Sequence, residues 1–353
     1  MDYRSLGASG LNVPVLGLGT ANFRGGANPA AGVGDKTAAR LADIAIERGA
    51  AFFDSADIYG AAEDVLGKAL GKRRSQVLIA TKAGLRSGSG SNETGASRHH
   101  LIEACERSLK RLGTDYIDLF QIHSFDGRTP VEETLSALEA LIRAGKVRYI
   151  GCSNYAGWQL MKALAASDRH GWPRFVSHRV AWSLAARDAE WELAPLGADQ
   201  NVASLVWSPL AGGALSGKYG RAGLPLDALD ISGGALRALP AGQLAAIVDC
   251  LGEIATEAAC SAAQVALAWL LERPTVATIF IGASSPEQLE ANLGAIELRL
   301  TGDQLARLDE ISARPLVYPH WLQHDAIAER MAQLPPVANV RVDKAPQMPR
   351  IAE

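Results

Sequence analysis

Short apolar runs alternate with longer helical stretches along most of the chain. Eight apolar runs, each short enough for one buried strand, cover residues 15–20, 51–57, 77–84, 116–123, 149–154, 175–183, 203–210 and 278–284. Between them, alanine and leucine recur with helical spacing at 37–49, 62–71, 98–112, 131–144, 157–167, 188–200, 241–273 and 286–297. Strand-then-helix order predicts parallel strands joined by helical crossovers. Eight repeats favour a closed (β/α)8 TIM barrel, an α/β fold, over an open sheet.

Three segments lie outside the strand-and-helix repeat. Residues 3–14, with a Gly-Ala-Ser-Gly turn between two β-prone runs, predict an N-terminal β-hairpin ahead of the barrel. Residues 211–240 are rich in Gly, Ala and Leu and predict a long loop after the seventh strand. Residues 302–332 predict an extra C-terminal helix followed by an aromatic loop. No linker divides the chain, so we expect one domain over 1–333 and an extended tail over 334–353.

Composition narrows the class of protein. The 353 residues are 48% hydrophobic, enough for a large core, and the net charge of −3 gives no basic surface for nucleic acid or an anionic membrane. No apolar stretch approaches the ~20 residues of a membrane span, and the N-terminus does not read as a signal peptide. The four cysteines lack metal-binding spacing, which favours free thiols over disulfides. We therefore expect a cytoplasmic protein.

Polar side chains collect where successive predicted strands end. Asp54 lies near the end of the second apolar run, and Tyr59 follows in its loop. Lys82 lies near the end of the third run and His123 ends the fourth. In a barrel these strand ends share one face, where such enzymes carry their active sites. Each residue alone has an ordinary use as a strand-end cap, a rim cation, a hydrogen-bonded histidine or a packed tyrosine, but their combination favours one catalytic site.

The four side chains together suit proton donation to an oxygen atom. A lysine ammonium near the Tyr59 phenol favours the phenolate and lowers its pKa from the usual ~10. Asp54 beside Lys82 keeps that lysine charged and positioned despite partial burial. His123 is placed to orient a substrate oxygen or to help the proton move. Without metal ligands or an activated nucleophile, this group suits protonation of a developing alkoxide, which implies hydride delivery to a carbonyl from a borrowed cofactor.

Several longer motifs follow one another along nearly the whole chain. They are YRSLGASGLNVPVLGLGT, FFDSADIYG, IATKAG, RLGTDYIDLFQIH, GKVRYIGCSN, WSPLAGGALSGKY and IGASSPEQLEANLGA, and the match runs to ERM at 329–331. With these motifs the chain resembles the aldo-keto reductase superfamily, and it looks closest to the branch of potassium-channel β-subunit-like and bacterial general reductases. The resemblance implies that the catalytic tetrad falls on Asp54, Tyr59, Lys82 and His123. It also implies reversible, NADP(H)-dependent reduction of aldehydes or ketones, with Tyr59 as the proton donor.

The glycine-rich segment after the seventh run bears on nucleotide binding. No G-x-G-x-x-G motif follows a strand, so a Rossmann site is not predicted. Residues 212–219, GGALSGKY, match the first part of a phosphate-binding loop, but Tyr219 replaces the Ser or Thr that would hold Mg²⁺. ATP binding is therefore not expected. The same glycines and Lys218 suit a pyrophosphate, and the resemblance implies a loop that folds over a dinucleotide.

The resemblance also implies where the nicotinamide cofactor binds. Ser153 and Asn154 would hydrogen-bond the nicotinamide carboxamide and Trp207 would stack on the ring, although core packing is the alternative for Trp207. The end of the eighth strand would hold the adenosine end, with the amides of the following helix as an anion site. The predicted cofactor-binding residues are Gly19, Thr20, Ser153, Asn154, Arg179, Trp207, Ser208, Pro209, Leu210, Gly213, Leu215, Gly217, Lys218, Gly282, Ser284, Gln288 and Asn292.

Two positions depart from the family pattern. Arg179 lies in VSHRVAWS, where the family commonly has glutamine under the nicotinamide. An inward-pointing cation there would oppose the oxidised ring and relatively favour the reduced cofactor. Ser284 and Ser285 stand where many relatives carry Arg or Lys for the 2′-phosphate of NADP, a contact worth on the order of a few kcal/mol. NADP is the expected cofactor, with Arg221 as a candidate substitute for the missing cation and with NAD as the alternative.

The sequence specifies the substrate and the oligomeric state less closely than it specifies the type of reaction. The substrate is expected to be a small-molecule carbonyl compound, and an apolar lining suits aromatic or medium-chain carbonyls. Residues expected to line its pocket are Phe23, Tyr59, Ser124, Phe125, Tyr318 and Trp321. No feature sets an interface, so a homo-oligomer is possible but not indicated. Two other functions stay open: a cofactor-sensing regulatory subunit with slow or vestigial reductase activity, and a barrel lyase or isomerase unrelated to nicotinamide.

Overall fold

The chain divides into two compact units, Met1–Ala313 and Arg314–Glu353, in a computed structural model. The described residues are 1–24, 32–218, 239–240, 242–323 and 325–326. The predicted domain boundary at residue 333 lies outside the described residues, so it stays a prediction.

Eight parallel strands close into a barrel in the first unit, as predicted. The strands pair in the order of the chain, and the last strand closes the ring by pairing with the first. The predicted hairpin precedes the barrel as an antiparallel pair, β1 (Tyr3–Ser5) and β2 (Asn12–Pro14). The barrel strands are β3 (Leu16–Gly19), β4 (Phe52–Asp54), β5 (Leu78–Ala83), β6 (Ile117–Ile122), β7 (Val147–Ser153), β8 (Ser177–Ala181), β9 (Ala203–Trp207) and β10 (Val276–Ile281).

Helices follow the strands in each predicted helical stretch. They are α1 (Asp35–Glu47), α2 (Ala62–Leu70), α3 (Arg98–Leu112), α4 (Val131–Arg143), α5 (Gly157–His170), α6 (Leu193–Gln200), α7 (Gln243–Glu257), α8 (Ala262–Leu271), α9 (Pro286–Leu293) and α10 (Gly302–Ile311). The long stretch 241–273 contains two helices because Ala259 takes a left-handed φ of 51°. Ser261 then caps α8, accepting a hydrogen bond from the Gln264 amide. The extra C-terminal helix is α10.

The barrel interior is divided between an apolar part and a polar end. Phe52, Leu119, Leu205 and Phe280 fill the apolar part, and the hairpin residues Leu6 and Val13 pack against them. Phe52 and Phe280 meet edge to face with ring centroids 5.0 Å apart, an arrangement worth about 1 kcal/mol beyond its area burial. The polar end carries the buried side chains Asp54, Lys82, Gln121 and Arg179. This rigid apolar floor fixes the strand ends from which the polar groups project.

Amphipathic helices cover the outside of the barrel. In α3 the buried residues include Leu101, Ala104, Cys105, Leu109 and Leu112, which share one face of the helix. Ser97 begins this helix by accepting a hydrogen bond from the amide of His100, and Gly113 ends it in a left-handed conformation. The four cysteines are free thiols in the structure.

None of the helices that the structure describes is individually long and apolar enough to cross a membrane. One pair, α7 with α8, meets the length and composition criteria when taken together, but the two helices are bent by 96° relative to each other.

Candidate active site

The predicted catalytic residues converge at the carboxyl ends of neighbouring strands. Asp54 is the last residue of β4, Lys82 lies near the end of β5, and His123 directly follows β6. Because β4, β5 and β6 are adjacent and parallel, these side chains meet inside one sector of the barrel mouth. Ser153, the last residue of β7, continues the row.

The Asp54 carboxylate is the centre of the site. Lys82 Nζ lies 2.8 Å from both carboxylate oxygens, and both side chains are completely buried. Arg179 Nη2 lies 2.6 Å from Oδ2, and Gln121 Nε2 lies 3.5 Å from Oδ1. The Lys82 ammonium also donates to the carbonyl oxygen of Ser55. The carboxylate is therefore held from β5, β6 and β8 at once.

The Lys82 ammonium experiences opposing influences. Burial is the largest and lowers the pKa of Lys82, and the nearby Arg179 guanidinium lowers it further. Asp54 opposes both by its charge and its hydrogen bond, and the net result is a pKa of about 7. Near neutral pH this lysine can therefore exist in both protonation states.

Tyr59 lies beside this ion pair in the loop after β4. Lys82 Nζ is 5.1 Å from the centroid of the Tyr59 ring. The rings of Tyr59 and His123 meet edge to face with centroids 5.8 Å apart. The Tyr59 amide donates to the carbonyl of Ala56 at 3.1 Å, which closes a turn shortly after β4. The side chain is partly exposed, so it remains accessible to a substrate.

His123 is held as a neutral imidazole. Burial, followed by the charges of Lys82 and Arg179, lowers the pKa of His123 to about 2. Its backbone amide donates to Ala83 at 2.8 Å, and its carbonyl accepts from Asn154 Nδ2 at 3.0 Å. A neutral imidazole can donate or accept a hydrogen bond at a substrate oxygen without bringing another charge into the site.

Ser153, Asn154 and Trp207 lie beside Arg179 and His123, and their role in cofactor binding stays a prediction. The Ser153 hydroxyl and the Asn154 amide both donate to the Arg179 carbonyl, at 3.2 and 3.1 Å. Asn154 has a left-handed φ of 56°, a conformation that Asn tolerates well. The indole nitrogen of Trp207 is buried and has no hydrogen-bond partner among the described residues.

Arg179 points into the barrel and joins the tetrad, which the sequence alone did not specify. Its register opposite Ser153 and Leu205 puts its side chain in the interior. The prediction placed Arg179 at the cofactor but missed its ion pair with Asp54. Gln121 was also missed, although it lies two residues before His123 and so points to the same side of β6.

Thr20 holds the end of β4 by two hydrogen bonds. Its amide and its hydroxyl both donate to the Asp54 carbonyl, at 2.9 and 3.1 Å. Gly19 pairs with Asp54 in the sheet, and a methyl group added there would lie 3.6 Å from the Ile281 carbonyl oxygen. Gly19 and Thr20 thus lie at the barrel mouth beside the last strand, and their predicted contact with the cofactor stays a prediction.

The segment after β9 forms a tight, irregular turn. Ser208 and Ala211 have left-handed φ angles of 53° and 49°, and Gly213 and Gly217 have φ angles of 95° and 78°. Pro209 and Leu210 lie within the turn, and Leu215 is fully buried, so its side chain packs in the core. Lys218 is the last described residue before a gap, and Arg221 lies outside the described residues.

The end of β10 and the start of α9 carry the residues predicted to hold the adenosine end of the cofactor, and that role stays a prediction. Gly282 faces open space, and Ser284 is exposed, with its amide donating to Gln288 Oε1 at 2.8 Å. The Ser285 hydroxyl begins α9 by accepting from the Gln288 amide. Asn292 is buried, and its side-chain nitrogen has no partner in the part of the chain that the structure describes.

The residues present fit a nicotinamide dinucleotide. Two buried donors, the Trp207 indole nitrogen and the Asn292 amide nitrogen, lack partners among the described residues at the two ends of the predicted site. Buried polar groups are rarely left unpaired, so a bound polar molecule is the natural partner for both. No cluster of three or more His, Cys, Asp or Glu side chains is placed to hold a metal ion in the described ranges.

The predicted substrate residues take different positions. Phe23 is fully buried and bridges to Val33 through its backbone, so its side chain packs in the core. Ser124 and Phe125 are partly exposed in the loop after β6, and Phe125 packs edge to face on Tyr155 and Trp158. Tyr318 and Trp321 belong to the second compact unit. Their roles in substrate binding stay predictions.

The fold and site define a reductase barrel, and the family comparison agrees. The chain belongs to the aldo/keto reductase family, whose model matches residues 15–313. Family members are oxidoreductases that generally use NADH or NADPH and act on small carbonyl compounds.

Three relatives illustrate the range of this family. An uncharacterised oxidoreductase, YrpG, of Bacillus subtilis (strain 168) is 37% identical over 89% of this chain and 97% of that protein. A versiconal hemiacetal acetate reductase of Aspergillus parasiticus is 32% identical over 90% and 99%. A probable voltage-gated potassium channel subunit beta of Arabidopsis thaliana is 34% identical over 84% and 92%. The resemblance stated from the motifs, including its branch, is therefore confirmed.

Proposed function

We propose that this protein is an NADP(H)-dependent reductase that converts aldehydes or ketones to alcohols, reversibly. The observation that carries the proposal is the buried Lys82–Asp54 pair, with the ammonium 5.1 Å from the Tyr59 ring centroid. The named reductase among the relatives and the family itself support carbonyl reduction as the reaction class.

Tyr59 is the proposed proton donor. Its phenol proton passes to the carbonyl oxygen as charge develops there, and the Lys82 ammonium stabilises the phenolate that remains. Asp54 raises the pKa of Lys82 against the effect of burial and holds its ammonium beside the ring. The neutral His123 orients the same oxygen by a hydrogen bond. The nicotinamide cofactor, when bound, supplies the hydride to the carbonyl carbon.

The chain offers a contact for each part of the cofactor. Ser153 and Asn154 would hold the nicotinamide carboxamide and Trp207 would face its ring. The irregular turn 208–218 would bind the pyrophosphate with its amides. The start of α9, with Ser284, Gln288 and Asn292, would hold the adenosine end.

The nucleotide preference is a finer part of the proposal. The choice of NADP as the cofactor rests on its common use in the family. NAD is the alternative because Ser284 and Ser285 supply no cation for the 2′-phosphate. Titration of the apoprotein with NADPH and with NADH, monitored by tryptophan fluorescence, tests whether the protein binds a nicotinamide nucleotide and which of the two it prefers. Trp207→Phe is the control for the origin of the quenching. No quenching or heat of binding with either nucleotide would contradict the proposal.

A cofactor-sensing regulatory subunit is the second candidate function. The observation that favours it is the similarity to proteins named as probable potassium channel β-subunits. Oxidation of many equivalents of NADPH with a simple aromatic aldehyde favours the reductase. Oxidation of a single equivalent favours the sensor.

A further inference from the structure

Arg179 connects the catalytic group to the residues proposed to hold the nicotinamide. Its guanidinium Nη2 lies 2.6 Å from Asp54 Oδ2, and its side chain is only 9% exposed. Its backbone carbonyl accepts hydrogen bonds from Ser153 and Asn154. The Arg179 side chain therefore contacts the catalytic tetrad, while its backbone carbonyl contacts the residues predicted to hold the nicotinamide.

Asp54 is shared by two cations from different parts of the barrel. Lys82 approaches from β5, next to β4, whereas Arg179 approaches from β8. In the described part of the chain, Asp54 is the carboxylate that pairs with either cation. Glu63, the other acid that acts on Lys82, is already bonded to Arg111 at 2.7 Å and to Thr81 at 2.5 Å.

The cluster consequently carries excess positive charge whenever Lys82 is protonated. One carboxylate faces two cations, and His123 beside them is neutral. Burying an unbalanced cation is costly, so a purely structural role explains Arg179 poorly. A neutral amide or a methionine would fill the space without that cost. Arg179 Nε is also buried and unpartnered among the described residues.

The guanidinium faces the ring of Trp207. The guanidinium carbon is 6.0 Å from the Trp207 ring centroid and 5.9 Å from that of Phe280. A nicotinamide held by Ser153, Asn154 and Trp207 would therefore experience the charge of Arg179 across a water-poor interior. The oxidised nicotinamide ring is a cation and the reduced ring is neutral, so the charge acts differently on the two forms.

We propose that Arg179 is a positioning residue that shares the Asp54 carboxylate with Lys82 and biases the site towards the reduced form of the cofactor. This inference rests on the proposed function. The positive charge of Arg179 has two consequences. The oxidised cofactor binds more weakly than it would beside a neutral residue, and Lys82 releases its proton at lower pH.

The pH consequence depends on every charged or titratable group around Lys82. These are Asp54 at the end of β4, Tyr59 in the loop after β4, His123 after β6, Arg179 in β8 and Glu63 in α2. Of them, Arg179 and burial lower the pKa of Lys82, while Asp54 and Glu63 raise it. Removing the charge of Arg179 should therefore raise that pKa.

The test compares Arg179→Gln with Arg179→Lys in the full chain. Calorimetric titration gives Kd for NADP⁺ and for NADPH, and their ratio is the readout. We expect Arg179→Gln to lower the ratio Kd(NADP⁺)/Kd(NADPH) by about tenfold, whereas Arg179→Lys, which keeps the charge, should leave it within about twofold of the wild type. Simple distortion of the site would weaken binding of both forms together.

The second readout is the pH profile of kcat. The basic limb should move up by about one pH unit in Arg179→Gln and stay in place in Arg179→Lys. Arg179→Met fills a similar volume without charge and replaces the glutamine variant if that variant does not fold. The same fall in the Kd ratio and the same shift of the basic limb are expected for it. An unchanged Kd ratio with wild-type turnover overturns the inference alone. A wild-type protein that binds neither nucleotide overturns the proposed function, and the inference with it.

Discussion

The ammonium of Lys82 lies 2.8 Å from each carboxylate oxygen of Asp54, and neither side chain reaches solvent. The two residues come from adjacent strands whose carboxyl ends coincide. A buried pair of this kind leaves an uncompensated charge if either partner is removed. The pair lies beside the Tyr59 ring, whose centroid is 5.1 Å from Lys82 Nζ, so its charge can act on the phenol.

Tyr59→Phe tests the proton donor. Phenylalanine keeps the ring that packs against His123 and removes only the hydroxyl. We expect kcat to fall about 10²- to 10⁴-fold, with Kd for NADPH changing by less than about threefold. Steady-state kinetics and calorimetric titration measure the two quantities. Retention of wild-type kcat would remove Tyr59 from the mechanism.

Lys82→Met tests the charge that supports the phenolate. The pKa of Lys82 is lowered to about 7, so the ammonium is present below that pH and is lost as the pH rises through it. Wild-type kcat should therefore decline above about pH 7. The methionine variant, which is neutral at every pH, should lose about 10²-fold in kcat at low pH and lack this limb. A limb at the same pH in Lys82→Met would assign the titration to another group.

The tetrad was predictable because barrel topology aligns strand ends irrespective of their separation in sequence. Asp54, Lys82 and His123 each lie at or near the end of an apolar run, so strand order alone placed them together. Arg179 differs because it lies within its run rather than at its end. Its neighbour His178 points the other way and accepts a hydrogen bond from the Tyr155 amide. Which of the two faces the interior depends on the register of β8 against β7, which a single sequence does not reveal.

Hydrophobic periodicity did not predict the burial of some side chains or the position of one helix break. Leu215 and Phe23 lie in segments predicted to contact ligands, yet both side chains are completely buried. The helical stretch 241–273 kept its apolar spacing across a break at Ala259, so periodicity did not show the break. Such features depend on long-range contacts and single backbone angles, which hydrophobic patterning does not report.

Ser284→Arg tests the missing cation of the adenosine-end site. Ser284 is exposed, and its hydrogen bond to Gln288 Oε1 uses the backbone amide, so an arginine here leaves the cap of α9 intact. If NADPH binds at this end, an added guanidinium should tighten its Kd about tenfold through the 2′-phosphate. Kd for NADH, which lacks that phosphate, should stay the same. Ser284→Gln is the neutral control. An equal gain in affinity for NADPH and NADH would contradict the proposed position of the 2′-phosphate beside Ser284.

Asp57→Asn tests a buried acid that the proposed chemistry does not use. Burial, and then the charge of Glu63, raises the pKa of Asp57 from 3.8 to about 7, with Arg111, Arg107 and the Ile58 amide offsetting part of the effect. The folded protein thus keeps this proton up to about pH 7, while the unfolded chain loses it near 3.8. The stability contributed by the protonated form is full below pH 3.8 and is lost as the pH rises to about 7.

Asparagine at position 57 keeps the shape of the side chain without a titrating proton. The free energy of unfolding of Asp57→Asn, relative to the wild type, should increase between about pH 4 and pH 7 by roughly 4 kcal/mol and then level off. Urea unfolding at a series of pH values measures this difference. Asp115→Asn, at an exposed acid, is the matched control. A difference that stays constant with pH in Asp57→Asn would show that the Asp57 carboxyl titrates alike in the folded and unfolded states.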